Sequence, residues 1–228
     1  MNGLRSVTPY KSHYTVCVDL HGKDCLVVGG GEVARRKAAA LNDAGACLVV
    51  VSPELESVLE YMAFQKEIEW RKREFKPEDV EGVFLAVAAT DDRRVNHTIA
   101  ELCREKRILC NVVDTPDEGS FIVPSTVERG PMTIAVSTSG ISPTLAASIR
   151  QELEMAYGEE YGIFLEIMAS LRPLVMEEFA SPQIRQKIFD RMISSRALSL
   201  LRNGMRDEAR KELQEIIYEA RQMSSVSS

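Results

Sequence analysis

No long apolar run occurs anywhere in the sequence. The longest uninterrupted one, residues 83–89, is far short of the roughly 20 residues that cross a bilayer. Histidine is scarce: His13, His21 and His97 are scattered, with no i, i+4 pair and no neighbouring cysteine set, which argues against a resident metal centre. The five cysteines (Cys17, Cys25, Cys47, Cys103, Cys110) are an odd number and form no C-x-x-C pair, so neither a disulfide framework nor a zinc ribbon is expected. Four of them sit in apolar strand- or helix-like contexts, where a thiol behaves as a small hydrophobe. The first residues, MNGLRSVTPYKSHY, carry no apolar core of a secretory signal. Excess positive charge is also missing: 28 Lys and Arg stand against 34 Asp and Glu, a net charge of −6, which disfavours a nucleic-acid surface. The expectation is a reduced, cytoplasmic protein with no permanent metal, no nucleic-acid partner and no membrane partner.

The chain has 228 residues, 45% of them hydrophobic, enough for one sizeable core and a smaller one, hence one or two domains. Its most informative stretch is Asp24-Cys25-Leu26-Val27-Val28-Gly29-Gly30-Gly31-Glu32-Val33-Ala34-Arg35. A buried strand runs into a glycine turn and on into a helix, with G-x-G-x-x-A spacing and Ala34 in the third small position. In that arrangement backbone N–H groups and a helix N-terminus point at one spot, where a pyrophosphate can sit. The alternative is an αβ turn whose glycines serve only close packing.

Strand and helix then alternate. Helical patterns cover 32–44, stopped by Gly45, and also 54–64 and 93–105, with a brief helical turn at 77–80. Strand-like runs lie at 25–28, 47–51, 68–70, 83–89 and 108–113, and such alternation implies parallel βαβ units with ligands at the C-terminal strand ends. Beyond this the pattern changes. Residues 121–127 and 132–137 flank Glu128-Arg129-Gly130-Pro131 as a hairpin. From Pro143 to residue 222 the sequence reads as helix. Ser142 is placed to cap it, Pro143 takes the first position, and Leu145, Ile149 and Leu153 make an apolar row. Helical stretches at 161–179, 182–201 and 206–222 follow, and six methionines in this region read as adaptable core packing.

Three segments should meet at the carboxyl edge of the sheet: Gly29-Gly30-Gly31-Glu32-Val33, Ser52-Pro53-Glu54 and Ala88-Ala89-Thr90-Asp91-Asp92. An acidic residue at the tip of the second strand takes the ribose hydroxyl in NAD binders. Here the tip carries Ser52, with Glu54 two residues on, which leaves NAD versus NADP open, although no basic residue lies there to hold a 2′-phosphate. Thr90 or Asp91 reads equally as a helix N-cap or as a cofactor contact. Asp114 ends the strand Asn111-Val112-Val113. A carboxylate there can serve as general acid or base once buried, or can be a turn residue before Thr115-Pro116. Ser137-Thr138-Ser139 opens a hydroxyl-rich loop suited to carboxylates or phosphates, or to capping alone.

Four segments, CLVVGGGEVARRKAAAL, LAVAATDD, ILCNVVDTPDEGSFIVPS and IAVSTSGISPTLAASIRQELE, resemble in that order the precorrin-2 dehydrogenase/sirohydrochlorin ferrochelatase family. This family includes the dehydrogenase-chelatase part of siroheme synthase. The resemblance covers about residues 13–155 and implies an α/β fold. A Rossmann-like parallel sheet for NAD (1–114) would precede a small α+β dimerisation segment with the hairpin (115–150) and a helical C-terminal domain (151–228). It implies oxidation of precorrin-2 to sirohydrochlorin with NAD⁺, with Fe²⁺ as a further substrate where siroheme is made, in a homodimer. The family's essential carboxylate matches Asp114, and its cofactor contacts match Glu32, Val33, Pro53 and Glu54. Ser137, Thr138, Ser139, Arg129 and Arg150 are candidate contacts for the substrate's carboxylates, the two arginines reading also as solvated surface residues. Thr138 stands where the fused synthase has a regulatory serine. No second glycine-rich methyltransferase segment follows, so a stand-alone enzyme supplied by a separate methyltransferase is expected. The rival reading from another class is a non-enzymatic NAD-sensing Rossmann module.

Overall fold

The computed structural model describes residues 11–226. Five parallel strands, β1 (Asp24–Val28), β2 (Cys47–Val51), β3 (Glu69–Arg71), β4 (Leu85–Ala88) and β5 (Leu109–Val112), form one sheet in the order β3-β2-β1-β4-β5. Parallel neighbours need crossovers, and these are α1 (Glu32–Asp43), α2 (Ser57–Phe64), a short 3-10 helix (Pro77–Val80) and α3 (Arg93–Lys106). The winding runs outward from β1 through β2 and β3, then returns to β4 on the other side. That reversal opens a crevice at the carboxyl ends of β1 and β4, where ligands bind in sheets of this type.

Both faces of the sheet are covered, which is why its strands read as continuous apolar runs. Cys25 and Val27 pack on one face with Ala34 and Ala38 of α1, while Leu26 and Val28 pack on the other with Ile99, Ala100 and Cys103 of α3. Ala34 and Ala38 are fully buried; their small side chains let α1 lie close to the sheet and bring its N-terminus to the end of β1. Gly45 stops α1 as expected, with φ +77° and its N–H bonded to the Asn42 carbonyl at 2.8 Å.

The first of two compact units runs to Val123 and includes Ser139–Ile141; the second comprises Pro124–Thr138 and the chain from Ser142 onward. Residues 115–123, grouped by sequence with the hairpin, belong with the sheet instead. The N–H of Ser120 donates to the Cys110 carbonyl at 2.8 Å, and Asn111 Nδ2 donates to the Phe121 carbonyl at 3.2 Å.

In the second unit β6 (Ser125–Arg129) and β7 (Met132–Val136) form an antiparallel hairpin around Gly130-Pro131, followed by α4 (Pro143–Ala156). The Ser142 hydroxyl accepts the Leu145 N–H at 3.3 Å, the cap read from sequence. Helices α5 (Glu160–Glu178), α6 (Pro182–Ile193), α7 (Ala197–Arg202) and α8 (Arg206–Val226) enclose a core of Phe164, Ile167, Leu171, Ile188, Met192, Leu213 and Ile217. One helix was expected over 182–201, but the structure breaks it after Ile193. Ser195 is the cause: its hydroxyl donates to the Met192 carbonyl at 2.7 Å and accepts the Ala197 N–H at 3.2 Å, competing with the helical ladder. The methionines also depart from expectation. Met192 is buried and Met168 packs at the core's edge, but Met155, Met176, Met205 and Met223 are exposed. Phe, Ile, Leu and Val already fill the inward stripe. Among the described residues no helix is long and apolar enough to cross a membrane.

Candidate active site

The glycine turn carries three glycines with three different roles. Gly29 has φ +123°, and a β-carbon on it would overlap the Ala89 carbonyl, so only glycine joins β1 to the turn here. A β-carbon on Gly30 would overlap the Glu54 carbonyl oxygen and stand 2.7 Å from Ser52 Oγ. Gly31 has nothing within 4 Å of that position. It is the N-cap of α1 and offers no side-chain cap, so the first N–H groups of the helix are left for an acceptor outside it. That combination fits a dinucleotide: an open glycine, a helix N-terminus and a backbone turn held from behind.

A cavity of about 970 Å³ lies over this turn, lined wholly by the first unit. It gathers Gly29, Gly30, Gly31, Glu32, Val33, Ser52, Pro53, Glu54, Thr90, Asp91 and Asp114, all placed by sequence at the carboxyl edge of the sheet, while Ala88 of the third segment lies outside it. Ser52 is buried and its hydroxyl donates to the Glu54 carbonyl at 2.6 Å, so its part is to shape the loop. Sequence reasoning missed Glu56. This residue lines the cavity, its N–H bonds the Gly30 carbonyl at 2.8 Å, and its buried Oε2 has no hydrogen-bond partner, though it is ion-paired with Arg35 at 3.7 Å. A ribose hydroxyl would satisfy that oxygen. Further carboxylates, Glu74 and Asp92, complete a lining that contains no lysine or arginine among the described residues. The nearby Arg35 hydrogen-bonds Glu32 at 2.9 Å, which holds the Glu32 carboxyl below its usual range.

The Thr90 turn corrects the sequence reading of the α3 cap. Neither Thr90 nor Asp91 caps the helix; Asp92 does, accepting the Arg94 N–H at 2.8 Å. Thr90 is instead tied to Asn96, a buried side chain that also donates to Asp114 Oδ1 at 3.1 Å. The burial expected of Asp114 is not found: β5 ends at Val112, the chain turns, and the carboxylate is exposed at the cavity wall.

The candidates for substrate carboxylates are not part of this lining. Arg129, 16% exposed in its side chain, donates to the Tyr157 carbonyl at 3.0 Å and the Glu154 carbonyl at 3.4 Å, closing the C-terminal end of α4. That corrects the solvated-surface reading of Arg129. Arg150 is ion-paired with Glu154. Thr138 Oγ1 accepts the Ser142 N–H at 3.1 Å, and Ser139 stands in the left-handed region at φ +53° beside Ser137, in the loop that leads to α4.

A sheet of this order, with a glycine turn at a helix N-terminus above its switch point, defines a dinucleotide-binding protein of Rossmann type. Residues 16–125 match the family described as "Putative NAD(P)-binding", residues 129–155 "Sirohaem biosynthesis protein central", and residues 160–217 "Sirohaem synthase dimerisation region". A siroheme synthase of Photorhabdus laumondii is 40% identical over 200 residues, which are 88% of this chain and 43% of that protein. Siroheme synthase 3 of Aeromonas hydrophila is 43% identical over 176 residues, 77% of this chain and 38% of that protein. The chain thus spans less than half the length of these curated relatives. Among solved structures, SirC, a precorrin-2 dehydrogenase, superimposes with a TM-score of 0.75 at 26% identity, covering 89% of this chain and 100% of its own. The chain belongs to the precorrin-2 dehydrogenase/sirohydrochlorin ferrochelatase family.

Proposed function

We propose that this protein oxidises precorrin-2 to sirohydrochlorin with NAD⁺, in siroheme or modified tetrapyrrole biosynthesis. The observation that carries the reading is the convergence of the glycine turn, the Thr90 turn and Asp114 on one cavity, in a chain whose three family matches follow one another in order.

When bound, NAD⁺ supplies the hydride acceptor. The chain's own part begins with the first N–H groups of α1, which hold the pyrophosphate, and with Gly31, which lets it approach. Glu56 Oε2 takes a ribose hydroxyl, and the carboxylate-rich wall disfavours the extra phosphate of NADP⁺. Asp114 stands at the carboxyl end of β5 to accept the proton that leaves the substrate as it is oxidised. The same carboxylate is suited to relaying pyrrole N–H protons when Fe²⁺ enters as substrate, the second reaction proposed for this site. Asp114 is therefore the proposed catalytic residue, with Gly29, Gly30, Gly31, Glu32, Val33, Ser52, Pro53, Glu54, Thr90 and Asp91 forming the cofactor site. Ser137, Thr138 and Ser139 remain the proposed contacts for substrate carboxylates.

A homodimer is proposed from the match of residues 160–217 to a dimerisation region. The exposed Leu145 and Met155 of α4 support it. The proposed setting is the cytoplasm, supported by five free cysteines, three of them buried. Neither a membrane nor a nucleic acid is a proposed partner.

The test is anaerobic: purified protein, enzymatically generated precorrin-2 and NAD⁺, followed by absorbance, with Fe²⁺ added afterwards. Sirohydrochlorin forming together with NADH supports the dehydrogenase. Siroheme forming faster than spontaneous metal insertion supports the chelatase. NAD⁺ binding without any NAD⁺-dependent turnover would replace the enzyme with the sensing module.

A further inference from the structure

Asn96 is 1% exposed, and its side-chain amide makes four hydrogen bonds. Oδ1 accepts from the Thr90 N–H at 3.1 Å and from the Thr90 hydroxyl at 2.8 Å. Nδ2 donates to the Thr90 carbonyl at 2.9 Å and to Asp114 Oδ1 at 3.1 Å. A backbone N–H can only donate and a carbonyl can only accept, so the Thr90 backbone decides which end of the amide is which. The end it turns toward Asp114 is the donor.

The two partners differ in how firmly they are held. Asn96 is buried on α3 with every site filled, and rotating it would leave buried groups unsatisfied at about 1–3 kcal/mol each. Asp114 is exposed, and its Oδ2 has no hydrogen-bond partner among the described residues. Water would solvate such a carboxylate without help, so what the Asn96 bond adds is orientation: Oδ1 is held and Oδ2 is presented.

We propose that Asn96 is a positioning residue for the reaction, tying the Thr90 turn at the cofactor cavity to the Asp114 carboxylate. The proposal rests on the reading of Asp114 as the group that moves the proton. It gives one side chain control of the geometry between cofactor turn and carboxylate, which matters because small misplacements of reacting groups are costly.

Two variants separate positioning from a purely structural service to Thr90. Asn96→Asp is isosteric and keeps the acceptor for the Thr90 N–H and hydroxyl, but sets an oxygen against both Asp114 and the Thr90 carbonyl, where donors stood. NAD⁺ affinity therefore reads the loss at Thr90 and kcat the loss at Asp114. Asn96→Ala removes all four bonds. In Asn96→Asp, kcat for NAD⁺-dependent precorrin-2 oxidation is expected to fall about tenfold or more, with KM and NAD⁺ affinity within about threefold. Asn96→Ala is expected to lose kcat and NAD⁺ affinity together. A wild-type kcat in Asn96→Asp, or a loss that only tracks NAD⁺ affinity or folded fraction, overturns the proposal. Crystal structures of the wild type and Asn96→Ala read the same question without substrate. One Asp114 rotamer bonded to Asn96 in the wild type, and several in the variant, support it; one unchanged rotamer in both overturns it. Should the wild type fail to oxidise precorrin-2, the functional reading falls while this second measurement still decides the role of Asn96.

Discussion

The carbonyl oxygen of Glu54 occupies the space where a side chain on Gly30 would begin. The loop after β2 is thereby pressed against the back of the glycine turn, and the Glu56 N–H bonded to the Gly30 carbonyl at 2.8 Å fastens the two together. Gly31, one residue on, faces open space instead. Gly30→Ala should therefore destabilise the protein by about 1–3 kcal/mol through overpacking. Gly31→Val should cost at most about 1 kcal/mol as a poorer helix cap, yet weaken NAD⁺ binding about tenfold or more, equal to 1.4 kcal/mol. Thermal unfolding and NAD⁺ titration of both variants check this; unchanged affinity in Gly31→Val would remove the fingerprint's role.

The cavity wall carries carboxylates and no lysine or arginine among the described residues. NADP⁺ should bind about tenfold or more weakly than NAD⁺ at low ionic strength, and the gap should narrow as salt screens the repulsion. Glu56→Gln should narrow it further. Equal affinities for the two dinucleotides would refute the assignment of the wall as the discriminator.

Asp114→Ala removes an exposed side chain whose one hydrogen bond among the described residues is to Asn96, so folding and NAD⁺ affinity should persist. Turnover of precorrin-2 should fall by about 10²-fold or more, the usual size of a lost acid–base group. Normal kcat in this variant, measured anaerobically by sirohydrochlorin absorbance, would take the catalytic role from Asp114.

Asp79 is buried, takes two hydrogen bonds from Arg73 at 2.6 and 2.7 Å, one from Arg71 at 3.1 Å and one from the Lys76 N–H at 2.8 Å. Arg73 above all holds its carboxyl down from 3.8 to about 2. The unfolded chain is protonated first on acidification. The contribution, on the order of 2 kcal/mol before allowance for the half-exposed arginines, is therefore full above about pH 5 and vanishes as pH falls toward about 2. Asp79→Asn should be less stable than wild type at neutral pH and equal to it near pH 2, as measured by denaturant unfolding. A difference independent of pH would contradict this.

Cys17 and Cys47 are exposed, whereas Cys25, Cys103 and Cys110 are buried, and burial pushes the Cys25 thiol up to about 11. A thiol reagent should modify two cysteines quickly in the native protein and all five on unfolding. Rapid labelling of a third would show that the sheet is less closed than the structure has it.

The alternation of apolar runs with helical patterns was enough to read a parallel sheet, because strands buried on both faces must be continuously apolar and parallel neighbours need crossovers. Gly29-x-Gly31-x-x-Ala34 was legible for the same kind of reason: only small residues let a backbone turn, a ligand and a close helix share one place. The break at Ser195 was not legible, since a serine interrupts a helix only when its hydroxyl finds local backbone partners. Nor was the burial of methionines, which depends on what else fills the core.

Sequence by itself determined the alternation of strands and helices, the parallel pairing that alternation implies and the glycine turn between β1 and α1, because these follow from local periodicity and backbone sterics. The tertiary structure decided what the residues at the strand ends do. It set Gly30 against Glu54, left Gly31 open and gave the α3 cap to Asp92. It also buried Asn96 between Thr90 and Asp114. Each of these is a contact between segments distant along the chain or between turns. Such contacts arise only when the packed sheet brings the strand ends together, so no local pattern carries them.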